Sequence, residues 1–160
     1  MEIRFAKPQD VAGIIALLQQ VGQVHHRGRP DLFRRDAQKY RPEQVLALLD
    51  ASNWSIFVAA EADTVLGYGF CQLKEYKNDP VIADHKELYI DDLCVDETSR
   101  GKGVGKGIYQ EICCYAQSLG CYNVTLNVWS CNPGAMKFYE AMGLVPQKIG
   151  MEQVLNAEEK

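Results

Sequence analysis

The run Asp92-Leu93-Cys94-Val95-Asp96-Glu97-Thr98-Ser99-Arg100-Gly101-Lys102-Gly103-Val104-Gly105-Lys106-Gly107 carries the densest chemistry in the chain. Four glycines at alternate positions let backbone approach a ligand with no Cβ in the way, and they permit positive φ where a turn requires it. A helix beginning near Val104 leaves its first N–H groups without intrahelical partners, at the positive end of its dipole. With Arg100, Lys102 and Lys106 beside them, these groups form a cradle for a phosphate or pyrophosphate. A glycine-rich surface turn with a solvated basic cluster has the same composition, so the motif has to be read in its surroundings.

Spacing narrows the ligand. The dinucleotide fingerprint Gly-x-Gly-x-x-Gly fails from either start, because its third glycine falls on Lys106 or on Ile108. A nucleotide-triphosphate loop needs a glycine where Arg100 stands and a Ser or Thr where Gly107 follows the lysine. What remains is Arg-x-x-Gly-x-Gly, read as Arg100, Gly103 and Gly105. In that form the loop resembles the acetyl-coenzyme A loop of the GCN5-related N-acetyltransferase (GNAT) family.

The elements that must position this loop can be read in order. Residues 2–6 form a first strand, and Asp10 is an N-cap for a helix with Val11, Ile14, Ile15, Leu18 and Val21 on one face, stopping near Gly22. Residues 25–33 have no period and form a loop or irregular helix, and Pro42 opens a second helix. Residues 55–60 and 65–73 form a hairpin, with Gly67 and Gly69 marking a bulge or a face of close packing. A fourth strand, residues 88–95, leads into the glycine loop. The helix after it carries Val104, Ile108, Ile112 and Ala116, and a strand over residues 122–129 follows. Asn132 caps a short helix that has Pro133 at its first position and ends at Gly143. Residues 145–155 are expected to supply two closing strands around Gly150.

With the second half in place the resemblance covers residues 2–155, and it is most specific over 88–144, where Asn132-Pro133-Gly134-Ala135-Met136-Lys137-Phe138-Tyr139 follows the loop at the family's spacing. It implies an α/β (α+β) fold: one domain over residues 1–155 with a tail at 156–160. The sheet would be mixed, mainly antiparallel and seven-stranded, with helices on both faces and splayed fourth and fifth strands. It assigns the pyrophosphate of acetyl-coenzyme A to backbone N–H groups of Gly101, Lys102, Gly103, Val104, Gly105 and Lys106, with Arg100 at the entry. Cys94 and Val95 would pair with the pantetheine arm, and a backbone N–H there would polarise the acetyl carbonyl. Asn132 and Ala135 would face the arm, and Tyr139 would reach the sulfur. Two plainer roles stay open, Asn132 as a cap alone and Tyr139 as a core aromatic.

The implied reaction is attack by a neutral amine on the thioester, in a ternary complex. A thiol pKa near 8.5 lies below that of tyrosine near 10, so Tyr139 would act chiefly by hydrogen-bonding the leaving sulfur. The ammonium of the acceptor must lose a proton, and Asp92 is the favoured base among Glu87, Asp91 and Asp92; alternation puts Asp91 and Asp92 on opposite faces. These acids can equally stay solvated or hold a cationic substrate. The acceptor, a small-molecule amine or a peptide or protein amine, would be walled by residues 25–33 and by the loop over 76–86. A coenzyme A-binding sensor or scaffold without catalysis is the alternative, and a longer acyl chain would change the pocket rather than the cradle.

Composition sets the outer limits. The chain has 160 residues, enough for one domain with a real core, and a net charge of −4, which gives no general pull toward nucleic acid or an anionic membrane. No apolar run is long enough for a membrane span. The six cysteines contain no C-x-x-C pair and no companion histidine at finger spacing, so no metal is expected, and their use fits the cytoplasm. The family resemblance also allows a homodimer.

Overall fold

We describe a computed structural model of the chain over residues 1–156. Five strands form one sheet in chain order: β1 (Glu2–Phe5), β2 (Trp54–Glu61), β3 (Thr64–Tyr76), β4 (His85–Val95) and β5 (Asn123–Leu126). The first four pair antiparallel, and β5 runs parallel to β4.

Two helical layers cover the sheet. On one face, α1 (Val11–Gly28) buries Val11, Ile14, Leu17 and Leu18 against Val58, Tyr68, Phe70 and Cys94, with α2 (Pro42–Asp50) adding Val45. On the other, α3 (Val104–Ser118) presents Val104, Ile108, Ile112 and Ala116 to Phe57, Ala59, Cys71, Leu88 and Ile90. Each fully buried isoleucine of that row contributes about 1.5–3 kcal/mol of transfer energy. Gly67 and Gly69 make this approach possible, since a Cβ on them would lie 3.0 Å from Ile108 and 2.8 Å from Ile112. The helix α4 (Pro133–Ala141) closes on the same side, its Phe138 ring against Gly105.

Several sequence expectations need correction. The sheet has five strands and not seven: residues 145–155 form no strand, and all of them are exposed. Their apolar alternation suits a strand, but a strand needs an edge to pair with. The fifth strand is also shorter than the expected 122–129, ending at Leu126. Asp10 makes no side-chain cap to α1; it accepts the Lys7 N–H at 2.7 Å and pairs with Arg4, whose hydrogen bond holds its carboxyl below the usual range. The first helix does not stop at Gly22 but runs to Gly28, and Gly22 is required because a Cβ there would run into the carbonyl oxygen of Ala37. Of the tail, only Asn156 falls among the described residues.

The register of β3 on β4 holds the decisive irregularity. Phe70 faces Asp92 and Cys71 faces Ile90, so Asp91 is an extra residue, a β-bulge. Strict alternation would keep Leu88, Ile90, Asp92 and Cys94 on one face. Instead Leu88 and Ile90 join the α3 core while Cys94 joins the α1 core. The bulge therefore brings Asp91 and Asp92 to the same α1 side, not to opposite faces.

Candidate active site

The pairing of β4 with β5 ends at Ile90↔Leu126, but β4 runs on to Val95. Among the described residues, the edge of β4 that faces away from β3 has no strand beside it from Asp91 onward. This is the opening between fourth and fifth strands that the resemblance implies. At its end the chain turns sharply: the Asp96 N–H donates to Leu66 O at 2.8 Å, and the Asp96 carboxylate accepts the Thr98 N–H at 3.0 Å. Gln20 of α1 clasps the turn from the other side, donating to Asp96 Oδ1 at 2.9 Å and accepting the Glu97 N–H at 3.3 Å. No sequence signal singles out Gln20, a polar residue on an amphipathic helix.

Beyond the turn, Gly101 and Gly103 take φ values of +75° and +81°, in the left-handed region where only glycine is unstrained. Gly103 stands at the N-cap of α3, and nothing lies within 4 Å of where a Cβ on either glycine would be. The N–H groups of residues 101–106 find no backbone or side-chain acceptor among the described residues. Arg100, Lys102 and Lys106 are exposed around them, with Arg100 Nε 3.4 Å from Val95 O. Unpaired donors, an open side and three cations fit a pyrophosphate. Val104 and Gly105, by contrast, have buried side-chain positions and offer backbone only.

Asn132 does cap α4, its Oδ1 accepting the Ala135 N–H at 3.2 Å, so one of its two amide functions is committed to the helix. Further along α4, Tyr139 is half-buried. Burial pushes its phenol above the ordinary value, and the charges of Asp92 and Cys94 push it the same way. Burial also raises the Asp92 carboxyl to about 6, opposed by Lys39 and reinforced by Asp91. The Cys94 thiol, in contact with Leu17 O at 3.7 Å, is pushed up to about 12 by burial and stays protonated. Tyr68, fully buried beside Asp92, makes no hydrogen bond of good geometry through its hydroxyl. Burial raises its phenol well above the ordinary range.

Residues 25–33, the expected acceptor wall, comprise the last turn of α1 and the segment that follows it. His25 packs on Phe33 at 5.0 Å between centroids, and Phe33 meets Trp129 edge-on at 4.9 Å. Burial, with Lys39 adding to it, holds His25 below its ordinary value. The other expected wall, residues 76–86, is the tip of the β3–β4 hairpin. It ends at Lys86, six residues before Asp92 along β4, on the order of 20 Å away. Among the described residues no group of three or more His, Cys, Asp or Glu side chains is placed to hold a metal ion. No helix among them is long and apolar enough to cross a membrane.

The profile of the acetyltransferase (GNAT) family matches residues 18–144. The chain belongs to this family. Among its GNAT relatives, a glucosamine 6-phosphate N-acetyltransferase of Oryza sativa subsp. japonica is 32% identical over 63 residues, 39% of this chain and 36% of that protein. A probable glucosamine 6-phosphate N-acetyltransferase of Drosophila melanogaster is 39% identical over 56 residues, covering 35% of this chain and 24% of that protein. The matched stretch thus spans about a third or less of these relatives' length. Among solved structures, a mutant protein of Bacillus halodurans superposes with a TM-score of 0.92 at 32% identity, over 97% of this chain and 99% of that one. An aminoglycoside acetyltransferase from an uncultured soil metagenomic sample, solved with sisomicin, shares the fold at a TM-score of 0.73 and 18% identity, over 97% and 96% of the two chains.

Proposed function

We propose that this GNAT protein transfers an acetyl group from acetyl-coenzyme A to a primary amine, with both substrates bound at once. The observation that carries the reading is the loop of unpaired N–H donors over residues 101–106, which follows the unpaired edge of β4. Acetyl-coenzyme A supplies the activated acyl group as a thioester. In this reading the N–H groups of residues 101–106, with Arg100, Lys102 and Lys106, hold the pyrophosphate. The free edge at Cys94 and Val95 takes the pantetheine amides as a sheet takes a strand, and a backbone N–H there stabilises charge on the acetyl oxygen. Asn132 and Ala135 border that arm.

Asp92, with a pKa of about 6, is ionised at neutral pH. It attracts an ammonium acceptor and takes its proton before attack, leaving a neutral amine whose lone pair adds to the thioester carbonyl. A pKa of about 6 is close to what suits a general base at pH 7. Tyr139, raised above its ordinary value, remains an O–H donor at every physiological pH. It donates to the departing sulfur, which needs a hydrogen bond more than a full proton because the thiol is the stronger acid. His25, Phe33 and Trp129 give the acceptor side an aromatic wall, and the acidic pair at the bulge favours a cationic acceptor. Six free cysteines, two of them buried, fit action in the reducing cytoplasm.

The test is release of coenzyme A thiol from acetyl-coenzyme A with pooled primary amines and peptides, glucosamine 6-phosphate and sisomicin among them, alongside direct cofactor binding. Acceptor-dependent release supports transfer. Tight binding with no release from any pool supports a coenzyme A-binding module instead, and no binding overturns the reading of the loop.

A further inference from the structure

Tyr68 is the largest fully buried side chain among the described residues, and its hydroxyl has no hydrogen-bond partner of good geometry among them. It stands on β3 in the core beneath α1, edge-on to Phe70 at 5.1 Å between ring centroids. The side chains packed there are mostly hydrocarbon, Ile14, Leu18, Val45 and Val58 among them. A phenylalanine would fill such a place without leaving a polar atom behind. A buried tyrosine normally finds a partner for its O–H, so this one needs a reason.

The strand register supplies the partner. Tyr68 pairs with Cys94 and Phe70 with Asp92, and Tyr68, Phe70 and Cys94 all belong to the α1 core. Asp92 therefore shares a face with Tyr68, at the diagonal position across two strands that an aromatic side chain can span. Neighbouring polar groups are already committed. The Tyr40 hydroxyl donates to Asp91 Oδ2 at 2.6 Å, the Lys39 ammonium lies 3.0 Å from the same oxygen, and the Cys94 thiol is 3.7 Å from Leu17 O. A hydrogen bond from Tyr68 favours the ionised form of Asp92, against the burial that raises it. The two groups are close without being well aligned, and hydrogen bonds of catalytic groups often tighten only in the substrate complex.

We propose that Tyr68 is the positioning residue of Asp92: its hydroxyl donates to one oxygen of the ionised carboxylate and leaves the other oxygen to take the proton of the acceptor. This rests on the reading of Asp92 as the base. The two acids of the bulge then have separate holders, Asp91 in Lys39 and Tyr40 from the connection between α1 and α2, and Asp92 in Tyr68 from β3. The transferred proton goes from the ammonium to the free oxygen of Asp92, and Tyr68 keeps its own. Burial raises the Tyr68 phenol well above its ordinary value, so it stays a donor throughout the working range of pH. The other ionisable groups coupled to Asp92 by charge are Lys39, Asp91, Tyr40, Cys94 and Tyr139. Tyr68→Phe leaves all five in place.

Tyr68→Phe removes a single oxygen from the core, and circular dichroism should show it folded. The test follows the Asp92 carboxyl by carbon-13 NMR in protein labelled at aspartate, with and without coenzyme A, its signal assigned by its loss in Asp92→Asn. Because the hydrogen bond favours the ionised form, its removal should move the midpoint upward from about 6, by about one unit or less. Release of coenzyme A thiol from acetyl-coenzyme A with the pooled amines should fall roughly tenfold near neutral pH, and its acid limb should move up with the carboxyl. In the Asp92→Asn background the same change should cost nothing further, since neighbours that act through one another are not additive. An unmoved carboxyl titration overturns the proposal. So does wild-type release by Tyr68→Phe, or a loss that simply adds to that of Asp92→Asn. Wild-type release by Asp92→Asn marks the different failure of the base reading, and the titration, which needs no acceptor, tells the two apart.

Discussion

Lys39 holds Asp91 at two points: its ammonium lies 3.0 Å from Oδ2 and donates to the backbone carbonyl of the same residue at 2.9 Å. Tyr40 next to it donates to the same Oδ2 at 2.6 Å and stacks on Phe70. The connection between α1 and α2 is thereby fastened to the one residue of β4 that the register leaves over. The charge of Lys39 also works against the burial that raises Asp92.

Lys39→Met removes that opposition, so the Asp92 carboxyl should rise above about 6. A base works in its ionised form, and activity is lost as pH falls through its pKa. The acid limb of kcat/KM should therefore move to higher pH, by about one unit or less, and Lys39→Arg should restore it. A limb that stays in place would show that another group governs it.

Asp92→Asn should lower kcat/KM by about a hundredfold or more and stabilise the fold at neutral pH. The sign follows from linkage. The folded pKa is raised to about 6, so whatever stability the protonated acid lends is complete below the unfolded value and is lost as pH rises through about 6. An uncharged amide escapes that loss, a gain on the order of 1 kcal/mol. Thermal melts at pH 3 and pH 7.5, chosen to bracket the window of roughly 4 to 6, should show the gain only at the higher pH.

Tyr139→Phe should reduce kcat by roughly tenfold to a hundredfold and leave acetyl-coenzyme A affinity nearly unchanged. Single-turnover rates and titration calorimetry separate the two. An unaltered chemical step would make Tyr139 a packing residue alone.

Gly103→Ala should separate backbone conformation from packing. At φ +81° an alanine is strained by about 1–2 kcal/mol, yet nothing lies within 4 Å to clash with it. The fold should survive with a lower Tm while acetyl-coenzyme A binds more weakly. Gly105→Ala meets the Phe138 ring at 3.2 Å and Val95 at 3.3 Å, so its first effect should be on stability. Calorimetry of binding and of unfolding on both variants checks the contrast.

What the sequence determined by itself was local. The glycine loop, the bare N-terminus of α3, the Asn132 cap and the row from Val104 to Ala116 are each set by a few contiguous residues, and φ preference, hydrogen-bond capacity and helical period are properties of such short stretches. The mixed sheet with helices on both faces came with the family resemblance that those stretches carry, not from the element order itself. Tertiary structure alone decided the rest. The bulge at Asp91 is a matter of register, so it reverses which acids share a face without leaving a mark in the sequence. Lys39, Tyr40, Gln20 and Tyr68 reach the site through contacts distant along the chain, which periodicity does not report. Residues 145–155 read as strand because alternation describes a side chain's environment, but whether a strand forms depends on an available edge, and that edge is supplied only in three dimensions.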